Sequence, residues 1–182
     1  MIEWTVFGVA SLVLLILSRK SLLKPRSHGF YRFFAWELIV GAFILNVDVW
    51  FSDPFSWNQI ISWLLLCGSL PVVVMGTIEL KLAGKPDTTR QDASLIGFEK
   101  TTQLVTTGIY RYIRHPLYCS LLQLAWGIVF KDPGWLPVAL GLAATFFLVK
   151  TAHADEAECL KYFGEEYRAY ISRTKMFIPY LF

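Results

Sequence analysis

The fold is decided by residues 116–152, which read PLYCSLLQLAWGIVFKDPGWLPVALGLAATFFLVKTA. Two apolar runs, Pro116–Phe130 and Trp135–Ala152, are separated only by Lys131-Asp132-Pro133-Gly134. Asp, Pro and Gly are turn-forming residues, so this short polar segment predicts a tight connection between two antiparallel helices. The stretch therefore predicts a helical hairpin, and its apolar character is typical of helices that enter a bilayer.

The composition extends this prediction to the whole chain. Of its 182 residues, 55% are hydrophobic, 16% aromatic and 17% charged. Soluble domains carry about 25% charged and about 45–50% apolar residues. Three further apolar segments precede the hairpin, at Ile2–Ser18, Phe33–Phe51 and Trp57–Leu82. We therefore expect an all-α, multi-pass integral membrane protein with about five transmembrane helices.

Two polar segments complete the chain. Residues 83–107 are expected to form an exposed loop, and residues 153–182 form a polar tail. Apolar side chains recur in this tail at spacings of three or four, which predicts a C-terminal amphipathic helix with Gly164 as its weak point. These side chains are Leu160, Phe163, Tyr167, Tyr170 and Ile171. We divide the chain into three N-terminal transmembrane helices (1–82) and a catalytic region (83–182) in which the loop and the C-terminal helix form the cofactor site.

The basic residues predict the orientation in the membrane. With five crossings, all lysines and arginines except Lys131 fall on one face of the bilayer. Lysine and arginine concentrate in cytoplasmic loops. We therefore expect the N-terminus outside, and the loop, the residues before the hairpin and the C-terminal helix on the cytoplasmic face.

The residues before the hairpin, 108–118, read GIYRYIRHPLY and combine donors with aromatic rings. Gly108 can take a positive φ, and Pro116 suits the first turn of a helix. The free N–H groups of a helix N-terminus favour an anionic ligand, and Arg114 and His115 add donors at the same place. Tyrosine faces could also hold a cation. This segment has the residue types of a ligand site.

Structural roles explain the same residue types equally well. Arginine and tyrosine anchor helix ends at the membrane interface, and we expect Arg111 and Tyr112 to act in this way. The acidic residues 155–166 fit the solvated face of an amphipathic helix. No recognised metal-ligand spacing joins His115 to the acidic residues, so no metal site is expected.

Two ordered motifs resemble the isoprenylcysteine carboxyl methyltransferase family. They are VTTGIYRYIRHPLY (Val105–Tyr118) and DEAECLKYFGEEYRAY (Asp155–Tyr170), and FIPYLF follows them. The phospholipid N-methyltransferases share much of this signature. The resemblance begins near Thr101, whereas the N-terminal helices are similar only in hydrophobicity.

The resemblance implies a membrane-embedded methyltransferase that uses S-adenosylmethionine from the cytosol and a lipophilic substrate from the bilayer. It implies a cofactor site at Gln103, Leu104, Val105, Gly108, Tyr110, His115, Pro116, Tyr118, Asp155 and Glu156. The pair Asp155-Glu156 stands where most relatives have Glu-Glu. Relatives often have an arginine a few positions earlier, where this chain offers only Lys150 and His153.

The chemistry of the cofactor suits these residue types. His115 and Arg114 suit its carboxylate, and Asp155 or Glu156 suits its ammonium. Glu156, His115 and Arg114 are the candidate catalytic residues. A carboxylate acceptor requires no general base, whereas an amine must lose a proton, which Glu156 or His115 could take.

Three further residues are candidates for substrate contacts. Glu37 is an acidic group at membrane depth, where such groups are costly and often functional. Lys150 and Arg168 could contact an anionic group of the substrate or of lipid headgroups. We expect the acceptor to be the carboxylate of a prenylcysteine-like molecule or a lipid headgroup, with no nucleic-acid partner. The oligomeric state stays open.

Two other functions fit the sequence. A sterol-reductase-like membrane reductase would use NADPH in place of S-adenosylmethionine. A non-catalytic membrane scaffold would keep only the packing of the helices, and its function would tolerate loss of His115 or Glu156.

Overall fold

The computed structural model describes residues 2–87, 95 and 97–181. These residues form six α-helices, three short 3-10 helices and no β-strand, so the all-α prediction is confirmed for the described chain. The α-helices are α1 (Ile2–Leu22), α2 (His28–Asn46), α3 (Trp57–Leu82), α4 (Pro116–Val129), α5 (Trp135–Phe163) and α6 (Glu165–Ile171). The 3-10 helices are Val47–Val49, Gly97–Glu99 and Gly108–Arg111.

Four helices of the described chain are long and apolar enough to cross a membrane: α1, α2 with its following turn, α3 and α5. Their outer faces expose apolar side chains such as Val9, Leu12 and Ile16 of α1 and Leu64 and Leu70 of α3. At 14 residues, α4 is shorter than these spans. Its length of about 21 Å falls below the hydrocarbon thickness of about 30 Å. Four of the five predicted spans therefore have the length and composition of a membrane span, and α4 does not have the length.

The second helix begins earlier than its hydropathy predicts. Ser27 caps it by accepting a hydrogen bond from the backbone N–H of Phe30 at 3.2 Å, a common way to satisfy a free N–H at a helix start. The predicted start at Phe33 is therefore wrong by more than one turn. Polar His28 and Arg32 lower the hydropathy of the first turns, which hid the true start.

Successive helices alternate in direction, so the bundle has two distinct ends. At one end, the first residue of α2, His28, contacts Glu158 of α5. At the other end, the last residue of α2, Asn46, donates to the carbonyl of Ile128 in α4 at 2.8 Å. We call the first the pocket end and the second, which contains Lys131, the hairpin end. The pocket end joins the start of α2 and α4 to the C-terminal half of α5.

The predicted helical hairpin is confirmed by α4, α5 and the turn between them. The indole N–H of Trp126 donates to the hydroxyl of Thr145 across the hairpin at 3.0 Å. Lys131, in the turn, is only 1% exposed. Its ammonium donates to Gln59 at 2.9 Å and lies 3.6 Å from the ring centroid of Trp63. These contacts compensate for the burial of its charge.

The predicted end of the fifth helix at Ala152 is wrong, because α5 continues to Phe163. Between Ala152 and Gly164 there is no glycine or proline, and Gly164 ends α5 with φ +59°. The predicted amphipathic C-terminal helix is therefore divided between the end of α5 and the short α6. The predicted weak point at Gly164 is confirmed.

Residues 83–107 form more than the predicted exposed loop. Part of that loop, residues 88–94 and 96, lies outside the described residues. In the remainder, the N–H of Thr102 donates to the carbonyl of Gly84 at 2.9 Å and closes the segment. Thr101 and Val105 are buried, so the prediction of exposure is wrong for them.

Candidate functional site

A pocket with about 660 Å³ of space between its walls, part of it open to solvent, lies at the pocket end. Its walls come from the end of α3, the chain between α3 and α4, the start of α4, the C-terminal half of α5 and α6. The lining residues are Leu80, Leu95, Glu99, Thr101, Leu104, Val105, Tyr110, Arg114, His115, Leu117, Tyr118, Asp155, Cys159, Phe163, Tyr167 and Tyr170.

His115 links the two sequence motifs at this pocket. Its imidazole lies between two carboxylates, with Nδ1 3.5 Å from Asp155 Oδ2 and Nε2 3.4 Å from Glu156 Oε1. The ring also stacks on Tyr118, with 5.4 Å between centroids. Burial alone would lower the pKa of His115, but the two carboxylates outweigh it and raise that pKa above its usual value. His115 is therefore favoured in its protonated form.

Arg114 joins the motif before α4 to the segment that follows α6. Its Nε donates to Glu156 Oε1 at 2.6 Å, and its guanidinium also donates to the carbonyls of Ile171 and Thr174. Its backbone N–H donates to the carbonyl of Lys175 at 2.8 Å. Glu156 is consequently held between Arg114 and His115, two groups of opposite charge to its own.

Asp155 and Glu158 meet a second buried histidine, His28 of α2. The carboxylate of Glu158 accepts from His28 Nδ1 at 2.8 Å and from the His28 backbone N–H at 3.0 Å. Asp155 Oδ1 lies 4.0 Å from the same Nδ1. Asp155 therefore lies between His28 on one side and His115 on the other.

Glu99 provides a second carboxylate on the pocket wall. It accepts two hydrogen bonds from Arg32 of α2, at 2.7 and 2.9 Å. The Arg32 guanidinium also lies 5.0 Å from the ring centroid of Trp36. Both side chains of the ion pair are largely buried, which strengthens the attraction between them.

Gly108 starts the 3-10 helix that precedes α4, and its predicted positive φ is confirmed at +55°. A Cβ atom at this position would clash with the Glu79 side chain. Glu79 also accepts a hydrogen bond from the Thr107 hydroxyl at 2.8 Å. Glycine is required here both by the backbone conformation and by the close approach of α3.

Three tyrosines form an aromatic wall. Tyr110, Tyr167 and Tyr170 are buried, and the Tyr170 hydroxyl donates to the Tyr110 carbonyl at 2.6 Å. Burial raises the pKa of each of the three phenols above its usual value. They therefore remain neutral and present π-faces and hydroxyls rather than charge.

The structure brings most of the predicted site residues together. Seven of them line the pocket: Leu104, Val105, Tyr110, Arg114, His115, Tyr118 and Asp155. Glu156 adjoins it through Arg114 and His115, and Pro116 is buried at the start of α4 against Gly76. Gln103 and Gly108 are exposed at its margin.

The three predicted substrate residues lie outside the pocket wall. Glu37 accepts a hydrogen bond from Ser11 of α1 at 2.6 Å, which joins α1 to α2. Lys150 is exposed, with its ammonium 5.7 Å from the ring of Phe146. Arg168 is exposed beside Glu165 at 3.5 Å. Their contact with a substrate stays a prediction.

Several residues of the site were missed in the sequence. Glu99 and Cys159 line the pocket, and His28 and Arg32 contact its carboxylates. His28 and Arg32 are four positions apart at the edge of an apolar run, and this spacing places them on one helix face. This polar pair is the sequence feature that indicates a contribution of α2 to the site. The described residues contain no group of three or more His, Cys, Asp or Glu that could hold a metal ion.

The arrangement can bind a ligand that carries both charges. Asp155 and Glu99 offer anionic groups, while Arg114, His115 and the start of α4 offer cationic groups and donors. The tyrosine faces suit a planar ring or a cation.

Known proteins with similar sequences are methyltransferases by name. Methanethiol S-methyltransferase 1 of Bradyrhizobium diazoefficiens is 30% identical over 87 residues, 47% of this chain and 30% of the relative. Methanethiol S-methyltransferase of Mycobacterium tuberculosis is 23% identical over 135 residues, 74% of this chain and 50% of the relative. Protein-S-isoprenylcysteine O-methyltransferase of Tribolium castaneum is 31% identical over 91 residues, 48% of this chain and 32% of the relative.

The chain thus spans half or less of the length of these three relatives. No solved structure matches it. The model of one family, isoprenylcysteine carboxyl methyltransferase, matches residues 64–160, more than half of the chain. This match includes His115, Asp155 and Glu156, the residues through which the two motifs meet. The protein is therefore a member of the isoprenylcysteine carboxyl methyltransferase family.

Proposed function

We propose that this protein transfers a methyl group from S-adenosylmethionine to a lipophilic acceptor that resides in the membrane. One observation carries the proposal: the two motifs meet in a single pocket, where His115 lies 3.5 Å from Asp155. Two of the helices that hold this pocket, α3 and α5, are long and apolar enough to cross a membrane. A cofactor site at one end of such a bundle can be reached both from water and from lipid.

The residues present fit S-adenosylmethionine. When bound, this molecule supplies a methyl group on a positively charged sulfur. Asp155 and Glu99 would attract its cationic groups, and the faces of Tyr110, Tyr118 and Tyr167 would surround them. The side chains that bear positive charge, Arg114 and His115, would hold its carboxylate. These residues bind and orient, and their burial excludes water from the reacting groups.

The state of His115 bears on the acceptor. Burial opposes protonation of His115, but Asp155 and Glu156 outweigh it and raise the pKa of the imidazole. Both carboxylates contact this ring, and Glu156 is also engaged by Arg114. Because these side chains are held in ion pairs, the arrangement favours an acceptor that needs no general base, such as one that is already anionic. The carboxylate of a prenylcysteine-like molecule meets this requirement, and the apolar walls at Leu80 and Leu117 suit its chain.

A methyl-transfer assay with labelled S-adenosylmethionine tests the proposal. The full chain in lipid nanodiscs is supplied separately with a farnesylated cysteine derivative, phosphatidylethanolamine and a small alkane thiol. Transfer to the prenylcysteine carboxylate supports the proposal as stated. Transfer only to the phospholipid amine keeps the function but moves the acceptor to a headgroup. Transfer only to the thiol makes the acceptor small, as the names of two relatives indicate for those proteins.

The alternatives predict different ligands. Binding of NADPH without binding of S-adenosylhomocysteine would favour a reductase. A scaffold would bind neither molecule, and its function would survive His115→Ala. If the protein does not bind S-adenosylhomocysteine at all, the proposal is wrong.

A further inference from the structure

We infer that the first turns of α2 set the geometry of the pocket, with His28 and Arg32 acting as positioning residues for its two wall carboxylates. This inference rests on the proposed function, because it assigns these residues an effect on the binding of S-adenosylmethionine. Both residues lie outside residues 64–160, the part of the chain that matches the family. The match to the family therefore does not include the contribution of α2, which rests on the contacts of His28 and Arg32 in this structure.

His28 controls the side of the pocket formed by α5. Its side chain is 0% exposed, and Nδ1 contacts Glu158 at 2.8 Å and Asp155 at 4.0 Å. Within the described residues, its Nε2 is buried and has no hydrogen-bond partner. The polar contacts of the ring are therefore made by Nδ1. They hold the carboxylates of Asp155 and Glu158, one turn apart on α5, against the start of α2. Asp155 lines the pocket, so its position depends on His28.

Arg32 controls the opposite side. It is 5% exposed and binds both oxygens of Glu99, which belongs to the turn Gly97–Glu99 and lines the pocket. Both hydrogen bonds come from Nη1, so the Glu99 carboxylate is centred on this one nitrogen. The stack on Trp36 fixes the guanidinium in turn.

The spacing of the two residues connects these effects. Residues four apart lie on the same face of a helix, about one turn from each other. Asp155 and Glu99 come from separate parts of the chain. Through His28 and Arg32, both carboxylates are therefore positioned by the same rigid helix. A cationic ligand group between the two carboxylates requires both to be held at a fixed separation.

The test uses the full chain in nanodiscs and measures the Kd of S-adenosylhomocysteine by calorimetry, together with KM and kcat in the transfer assay. We expect His28→Ala and Arg32→Ala each to raise the Kd about 10-fold, the effect of losing a hydrogen bond to a charged group. KM for S-adenosylmethionine rises with the Kd while kcat is kept. A general loss of folded protein would instead lower kcat and leave the Kd unchanged.

Conservative variants guard against misfolding. The amide of Asn can donate from nearly the position of Nδ1, so His28→Asn is expected to restore the wild-type Kd to within about threefold. Arg32→Lys keeps a charge but loses the planar guanidinium that lies over Trp36, and should raise the Kd about threefold. His153→Ala is the matched control: this exposed histidine lies 3.8 Å from Glu156, and its loss should leave the Kd unchanged.

The outcomes separate the two proposals. If the wild-type protein does not bind S-adenosylhomocysteine, the proposed function fails. If the wild-type protein binds S-adenosylhomocysteine, and the Kd values of His28→Ala and Arg32→Ala are within about twofold of the wild-type Kd, the proposed function stands and the positioning role of α2 is overturned. If an Ala variant does not fold, the two conservative variants decide. The inference then requires that His28→Asn keeps the Kd near the wild-type value and that Arg32→Lys raises it.

Discussion

Arg114 and Glu156 form an ion pair with 2.6 Å between Nε and Oε1, although 42 positions separate them in the chain. Both side chains are largely buried, at 9% and 13% exposure. The pair joins the start of α4 to α5, and Arg114 continues the connection to the carbonyls of Ile171 and Thr174. Three separate segments are therefore held together by one guanidinium.

Removal of this guanidinium should destabilise the protein. Breaking a buried pair leaves the partner charge uncompensated, so we expect Arg114→Ala to lower the free energy of unfolding by about 3 kcal/mol. Glu156→Gln should cost less, because Gln can still accept a hydrogen bond. Thermal unfolding in nanodiscs measures both. Arg168→Ala serves as the control, since this arginine is exposed, and equal melting temperatures for the two arginine variants would contradict the prediction.

The charge on His115 predicts how stability depends on pH. Since its pKa is raised in the folded protein, the stabilising contribution is complete below its ordinary pKa of about 6.5 and is lost as pH rises through the folded-state value. The melting temperature should therefore fall as the pH rises above the ordinary pKa of about 6.5. His115→Gln removes this titration and should flatten the profile, whereas exposed His153→Gln should not. An unchanged slope in His115→Gln would show that His115 does not contribute.

A methyl group at Gly108 should be poorly tolerated. The positive φ costs an alanine about 1–2 kcal/mol, and the new Cβ would clash with the Glu79 side chain. Gly108→Ala should therefore lower the melting temperature and weaken S-adenosylhomocysteine binding. The double variant Gly108→Ala/Glu79→Ala removes the clash and should recover part of the loss. Gly8→Ala, where no atom lies within 4 Å, is the control. Wild-type stability in Gly108→Ala would be inconsistent with this geometry.

Substitution of the exposed cations should leave the pocket intact. Lys150 and Arg168 do not line it, so Lys150→Ala and Arg168→Ala should change the Kd of S-adenosylhomocysteine by less than about twofold, within the usual range for exposed charges. An increase in the acceptor KM alone would identify either residue as a substrate contact. A large rise in the cofactor Kd would contradict the placement of these side chains.

Hydropathy was sufficient for the presence and order of the long helices, but not for the start of α2 or the end of α5. The sequence predicted seven of the sixteen residues that line the pocket. The hairpin is visible because Asp132, Pro133 and Gly134 interrupt two apolar runs, and α4 begins at the predicted Pro116. The approach of His115 to Asp155 followed from the resemblance, since no local pattern connects residues forty positions apart.

The parts that could not be predicted depend on long-range contacts. His28 and Glu158 are 130 positions apart, and neither neighbourhood indicates a partner for the other. Glu99 lies in a segment that reads as an exposed loop until Arg32 is placed beside it. The end of α5 is not visible in hydropathy, because the change from apolar to polar residues after Ala152 alters what the helix faces and does not end it.

The segment after α6 has a consequence for biosynthesis. The carbonyl of Met176 accepts from the N–H of His115, and the N–H of Lys175 donates to the carbonyl of Tyr112. Arg114 and Thr174 are separated by 60 positions. A ribosome delivers the helices to the bilayer before it has made the residues that hold the motif closed. Membrane insertion and completion of the site are thus separate events in time, and a chain stopped before Thr174 would be inserted without an assembled pocket.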